Sequence, residues 1–160
     1  CQRTTLHGVL VCKALRGIAI TGESGSGKTA SALKLLDKGY RWVADDVIRI
    51  ERKDSVRLQG SGYRLTGRLI EIKGKGIFDT RSVVAPESLC AKTVIDLFIN
   101  LAQNPTDEKD SKNKSPKKGF IEILGIRVPQ YQLSPSESIE QTADRIDGIV
   151  SMDECNGGIP

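Results

Sequence analysis

Apolar and polar positions alternate along much of this chain in short runs, each closed by glycine, aspartate or a lysine-rich turn. Leu6 to Val11 and Gly17 to Thr21 are brief β-favouring runs, and the interval Cys12 to Arg16 suits a connection between paired strands. From Thr29 to Lys38 the period changes: Ala32, Leu33, Leu35 and Leu36 form a helical stripe, and Gly39 follows as a natural C-cap. Arg41 to Ala44 returns to strand character and ends at Asp45 and Asp46. Ile48 and Ile50 alternate with Arg49 and Glu51, and Lys53-Asp54 turns the chain into Val56 and Leu58, a hairpin pattern. Leu69 to Ile72, Ile77 with Phe78, Val94 to Leu101 and the stretch from Phe120 to Pro129 read as further strands.

Near the C-terminus, Ser134, Pro135 and Glu137 suit a helix start, and Ile139, Ala143, Ile146 and Ile149 recur at helical spacing. A helix over 134–152 is expected. Residues 103–119 carry almost nothing to bury and read as a mobile polar surface loop inside one domain spanning 1–160. Many short strands and few helices predict an α/β fold, a compact mixed β-sheet, over a regular β-α-β repeat.

Composition narrows the classes. With 160 residues, 38% hydrophobic and 28% charged, the chain resembles a soluble globular domain. No apolar run approaches the ~20 residues of a membrane span, and no signal pattern opens the chain. A start at Cys1 rather than Met is compatible with a fragment of a longer protein. The net charge of +4 is mild, and half of that excess lies between Gln103 and Gly119. With aromatics at only 4%, no nucleic-acid partner is expected. Cys1, Cys12, Cys90 and Cys155 are far apart with only His7 as a histidine partner, which argues against zinc and for reduced thiols in a cytoplasmic protein.

The run "GESGSGKT" fits G-x-x-x-x-G-K-[ST] at every fixed position, between an apolar strand and a patterned helix. Gly22, Glu23, Ser24, Gly25, Ser26, Gly27, Lys28 and Thr29 would therefore hold a nucleoside triphosphate. Glycines let backbone amides turn toward phosphate oxygens at a helix N-terminus. Lys28 supplies charge to the β- and γ-phosphates, and the Thr29 hydroxyl suits Mg²⁺. The strand "YRWVADD" resembles the metal-holding second motif of such enzymes. Adjacent strand residues face opposite ways, so Asp45 and Asp46 can both face the loop only if the strand ends between them.

In "LHGVLV", "GIAITGESGSGKTASALKLLDKGYRWVADDVIRI" and "LIEIKGKGIFD", and more weakly in "EILGIRVP", the chain resembles the C-terminal catalytic domain of the HPr kinase/phosphorylase family. The resemblance implies a bacterial, ATP- and Mg²⁺-dependent serine kinase acting on the phosphocarrier HPr or an HPr-like protein in the regulation of carbon metabolism. It also implies a homo-oligomer, a hexamer in the family. Carried over by position, it makes Asp45 the catalytic base, Lys28 the stabiliser of the transferred group and His7 a neighbour of the active site. Thr29, Asp46 and Glu71 become the residues about the metal.

The departures are specific. Ala30 stands where the family has a glutamate, and the tail after Ser134 lacks the family's Gly-Arg-Asn stretch. The family's separate N-terminal domain is absent from these residues, as in its short versions. Lys73 replaces an arginine whose planar fork clamps an oxyanion, which implies weak phosphorylase activity. Two rival readings stay open: a P-loop phosphotransferase with a small-molecule acceptor, and a non-catalytic ATP-binding regulatory module.

Overall fold

The computed structural model describes residues 2–23, 26–62, 69–72, 76–79, 84, 86–102, 117–134 and 138–157. In chain order the strands are β1 (Arg3–His7), β2 (Val9–Lys13), β3 (Arg16–Gly22), β4 (Arg41–Ala44), β5 (Val47–Arg52) and β6 (Leu58–Ser61). They continue with β7 (Leu69–Ile72), β8 (Gly76–Asp79), β9 (Lys92–Leu101), β10 (Lys117–Ile123) and β11 (Ile126–Leu133). Helix α1 (Lys28–Leu36) follows β3, helix α2 (Ile139–Gly157) closes the chain, and Pro86–Ser88 form one 3₁₀ turn.

Nine strands form one mixed sheet in the order β1-β5-β6-β9-β3-β2-β4, with the β10-β11 hairpin joined through β11 to β9. The β9 ladders to β3 and β11 are parallel and the other ladders are antiparallel. This is the mixed α/β sheet expected from the pattern. Strands β7 and β8 make a separate hairpin, and β7 approaches α1.

Alternation sorts the apolar residues to two faces. Val9 and Val11 of β2, Ile18 and Ile20 of β3, and Leu97, Ile99 and Leu101 of β9 pack with Ala32 and Leu35 of α1 and with Ala143, Ile146 and Ile149 of α2. Leu10, Ala19, Ile48, Ile50, Leu58 and Phe98 fill the other face. There the sheet curls until β4 meets the end of β6: a Cβ placed on Gly62 would sit 3.2 Å from that of Ala44. One irregularity matters. The β3–β9 register slips at Asp96, between the pairs Gly17↔Ile95 and Ile18↔Leu97. That bulge turns Ile95 to the same face as Phe98 and leaves Asp96 beside Arg16.

Element boundaries differ from expectation for local reasons. The first apolar run is two strands, broken at Gly8. The β2–β3 connection is the two residues Ala14-Leu15, both at positive φ, as a I′ hairpin turn requires. Helix α2 begins at Ile139 instead of 134, because the Ser138 hydroxyl accepts the Gln141 amide at 3.1 Å. Of the polar segment 103–119, residues 103–116 lie outside the described residues, and Lys117–Gly119 already belong to β10.

Candidate active site

Three chain breaks at one end of the sheet bring the functional side chains together. Strand β3 ends at Gly22, whose φ of 148° and surroundings exclude a side chain: a Cβ there would lie 2.4 Å from the Leu101 carbonyl oxygen. Gly27, at φ 89°, opens α1, and its carbonyl accepts the Ser31 amide at 2.9 Å. Ser24 and Gly25 lie outside the described residues.

Lys28 folds back over the loop. Its Nζ donates to the carbonyls of Gly22 at 2.7 Å and Glu23 at 3.1 Å. Burial pulls this ammonium below the ordinary lysine value, while the nearby Asp45 and Asp46 carboxylates act in the opposite direction. The Ser26 hydroxyl is buried with no hydrogen-bond partner among the described residues. An orphaned hydroxyl in a glycine-built cradle, next to a lysine and a helix N-terminus, fits a phosphate group.

Strand β4 ends at Ala44, so neither aspartate is held in an extended strand. Asp45 is buried and accepts a hydrogen bond from the Thr29 hydroxyl at 3.1 Å. Asp46 takes a left-handed backbone (φ 69°) and turns outward, its carboxylate 65% exposed and 3.6 Å from His7 Nδ1. The register sets that pairing: His7 ends β1 opposite Val47, and the Gly8 amide donates to the Asp46 carbonyl at 3.1 Å. A Cβ on Gly8 would stand 2.6 Å from the Ile20 carbonyl, so this crossing also needs glycine.

The resemblance grouped Thr29 and Asp46 about the metal and made Asp45 the base; in the structure Thr29 is hydrogen-bonded to Asp45, and Asp46 is the aspartate beside His7. Asp46 leaves the extended conformation at φ 69°, so the two carboxylates are not held on the opposite faces that a continuing strand would give them. Glu71 lies on β7 with its backbone opposite Ile77, in the hairpin that approaches α1, and its side chain and Lys73 are outside the described residues. Among the described residues no group of three or more His, Cys, Asp and Glu side chains could hold a metal alone. A hydroxyl and a carboxylate that await phosphate oxygens as further ligands are what a nucleotide-bound Mg²⁺ takes from a protein.

The family model described as the HPr serine kinase C-terminal domain matches residues 1–154. The chain belongs to this family. Among its relatives, the HPr kinase/phosphorylase of Lachnoclostridium phytofermentans is 38% identical over 126 residues, 79% of this chain and 40% of that protein. The HPr kinase/phosphorylase of Alkaliphilus metalliredigens is 37% identical over 133 residues, 81% of this chain and 41% of that protein. The chain thus spans about two fifths of the length of the curated relatives it matches. The solved structure of the HPr(Ser) kinase/phosphatase from Coxiella burnetii superposes with a TM-score of 0.74 at 27% identity, covering 93% of this chain and 99% of that one. Among the described residues no helix is long and apolar enough to cross a membrane.

One contact at the site had almost no signal in the sequence. Thr21 Oγ1 donates to Asn100 Oδ1 at 3.2 Å, tying the ends of β3 and β9 beneath the loop. A polar residue closing the apolar run of β9 was the only hint of it.

Proposed function

We propose that this domain transfers the γ-phosphoryl group of ATP to a serine hydroxyl of HPr or an HPr-like phosphocarrier protein. The hydrogen bond from Thr29 to Asp45, joining the loop to the end of β4, carries the reading, because it aligns a phosphate cradle with a carboxylate pair. Bound Mg²⁺ would neutralise phosphate charge, and Thr29 and Asp45 are the residues that would hold it, with Glu71 as a further candidate.

The remaining roles belong to the chain. The loop amides and Lys28 orient the triphosphate and stabilise charge on the transferred group. Asp46, exposed beside His7 at the front of the site, receives the serine proton as the new bond forms, and His7 positions its carboxylate. Asp45 cannot do this while it is buried against Thr29. Phosphoryl transfer mainly needs alignment and charge neutralisation, so one placed carboxylate suffices. The family resemblance further favours a homo-oligomer, measurable by light scattering.

The test follows phosphate from labelled ATP to HPr. Asp46→Asn should lower the transfer rate ~10²–10⁴-fold with ATP affinity retained, whereas Asp45→Asn should raise the Mg²⁺ concentration needed for half-maximal rate. Lys28→Ala should weaken ATP binding in calorimetry. An active Asp46→Asn variant beside an Asp45→Asn variant slowed ~10²–10⁴-fold at saturating Mg²⁺ would reverse the two roles. Transfer to a small metabolite but to no HPr would reject the protein acceptor.

A further inference from the structure

The end of the sheet away from the nucleotide loop carries two thiols that the phosphotransfer reading leaves unused. Cys12 and Cys90 are free, pack in the same apolar cluster and line the same groove. Cys12 is buried on β2, one residue before the chain reaches Lys13 and the Ala14-Leu15 turn. Cys90 follows the 3₁₀ turn and is half-buried; its thiol donates to the Lys92 carbonyl at 3.2 Å, and its amide donates to the Trp42 carbonyl at 2.8 Å. Two chain segments far apart in sequence therefore bring their thiols to one groove, Cys12 held by the pairing of β2 with β3 and β4 and Cys90 by its amide hydrogen bond to Trp42 of β4.

Both thiols line an open groove of about 690 Å³. Its lining includes Lys13, Arg41 and Lys92 and, among the described residues, no acidic one. Lys13 is partly engaged, 3.8 Å from Asp147 and stacked over Tyr40, but Arg41 and Lys92 add positive charge around the sulfurs. Such a groove draws an acidic reagent in preference to a neutral one.

We propose that Cys12 and Cys90 form a reversible dithiol–disulfide site, oxidised by a low-molecular-weight acidic disulfide, with Cys90 as the entry thiol and Cys12 as the resolving thiol. Accessibility sets the order. Cys90, the more exposed, attacks one sulfur of the reagent; the S–S bond breaks, a mixed disulfide forms on Cys90, and the departing thiolate takes up the proton lost by Cys90. Cys12, losing its own proton, then attacks the Cys90 sulfur and expels the second small thiol, which takes that proton. Two protein thiols are oxidised, one disulfide reagent is reduced to two thiols, and no further electron donor is needed. Burial, and after it the neighbouring Cys90, pushes the Cys12 thiol up to about 11, which makes it the slower of the two thiols to attack a free reagent. The site lies by the hairpin that begins β3, and the nucleotide loop follows the end of that strand, so this inference does not rest on the kinase reading.

The test incubates the full chain with glutathione disulfide, alkylates the remaining thiols and maps the peptides by mass without reduction. The expected product links the Cys12 and Cys90 peptides, is lighter by two hydrogens, separates in dithiothreitol, and accompanies a reversible rise in melting temperature. Cys12→Ser should stop at a glutathione adduct on Cys90, and Cys90→Ser should leave Cys12 unmodified. A stable adduct on Cys90 of the unaltered chain, a link from Cys90 to Cys1 or Cys155, or two free thiols under conditions that oxidise a reference dithiol would each overturn the proposal. The map on the unaltered chain decides it even if a variant fails to fold.

Discussion

Replacing Arg16 with leucine should destabilise this domain at its C-terminal helix, and the cost follows from the hydrogen bonds the guanidinium makes. Arg16 opens β3 and reaches two neighbours: Nη2 meets Asp153 Oδ2 of α2 at 2.8 Å and Nη1 donates to the Val150 carbonyl at 3.3 Å. Its Nε lies 4.0 Å from Asp96 Oδ2, the residue extruded by the β9 bulge. Asp153 is 6% exposed, and its other oxygen accepts the Tyr131 hydroxyl at 3.1 Å. Without the guanidinium, a buried carboxylate keeps one neutral donor. A hydrogen bond to a charged group contributes about 1.5–3 kcal/mol, and stranding one member of a fully buried pair costs about 3–5 kcal/mol. Arg16 retains 22% of its side-chain exposure, so water offsets part of the upper figure and roughly 2–4 kcal/mol remains.

At roughly 2–4 °C per kcal/mol for a chain of this size, melting should fall on the order of 10 °C. Acidity gives a second signature. Burial raises the Asp96 carboxyl above its ordinary value, Arg16 holds that rise in check and Asp153 adds to it. Removing Arg16 lets it rise further. A carboxyl whose folded value exceeds its unfolded value favours the folded state at pH below the unfolded value and loses that benefit as pH rises through the folded one. The deficit of Arg16→Leu should therefore be largest near neutrality and shrink on acidification through the carboxylate range, near pH ~4. Urea titrations of both proteins at the two pH values, with Asp153→Asn completing a double-mutant cycle, measure this directly. A deficit under ~1 kcal/mol at neutral pH would show that solvent and not the guanidinium satisfies Asp153, and one that does not shrink in acid would show that Arg16 does not hold the Asp96 carboxyl down.

Two further outcomes are checked with the same stocks. Gly22→Ala places a Cβ 2.4 Å from the Leu101 carbonyl, so ATP binding should be lost in calorimetry; wild-type affinity would mean the loop does not need this close approach. Ser138→Ala removes the acceptor of the Gln141 amide and should cost ~1 kcal/mol as a small fall in melting temperature, whereas an unchanged midpoint would place the cap elsewhere.

Legibility in the sequence followed the range of each signal. Arg41–Ala44 and Leu69–Ile72 match the structure residue for residue, because each is bounded by glycine, aspartate or polar positions that stop a short apolar run. Gly39 was readable as the stop of α1, and it sits at φ 92°, two residues beyond the C-cap Asp37. The start of α2 was misplaced because Ser134-Pro135 and Ser138 both carry cap chemistry, and only the packing of Ala143, Ile146 and Ile149 against α1 and the sheet selects Ser138. The bulge at Asp96 was not readable at all, since "VIDLFIN" alternates acceptably until one asks which face Ile95 must cover.

The site was legible in composition and not in arrangement, and the reason is that backbone breaks build it. The motif names Gly22 to Thr29, and the tandem Asp45-Asp46 names the acids, but nothing in "ADDV" says which one faces the loop. That choice depends on the left-handed turn at Asp46, on the Gly8 amide that holds its carbonyl, and on the β1–β5 register that sets His7 across from Val47. Gly8 in turn is required because a Cβ there would stand 2.6 Å from the Ile20 carbonyl oxygen. A pair of identical carboxylates thus acquires two environments, one buried on Thr29 and one exposed beside His7, from contacts supplied by segments outside the motif. Dividing two acids by environment is how one site separates charge neutralisation from proton transfer.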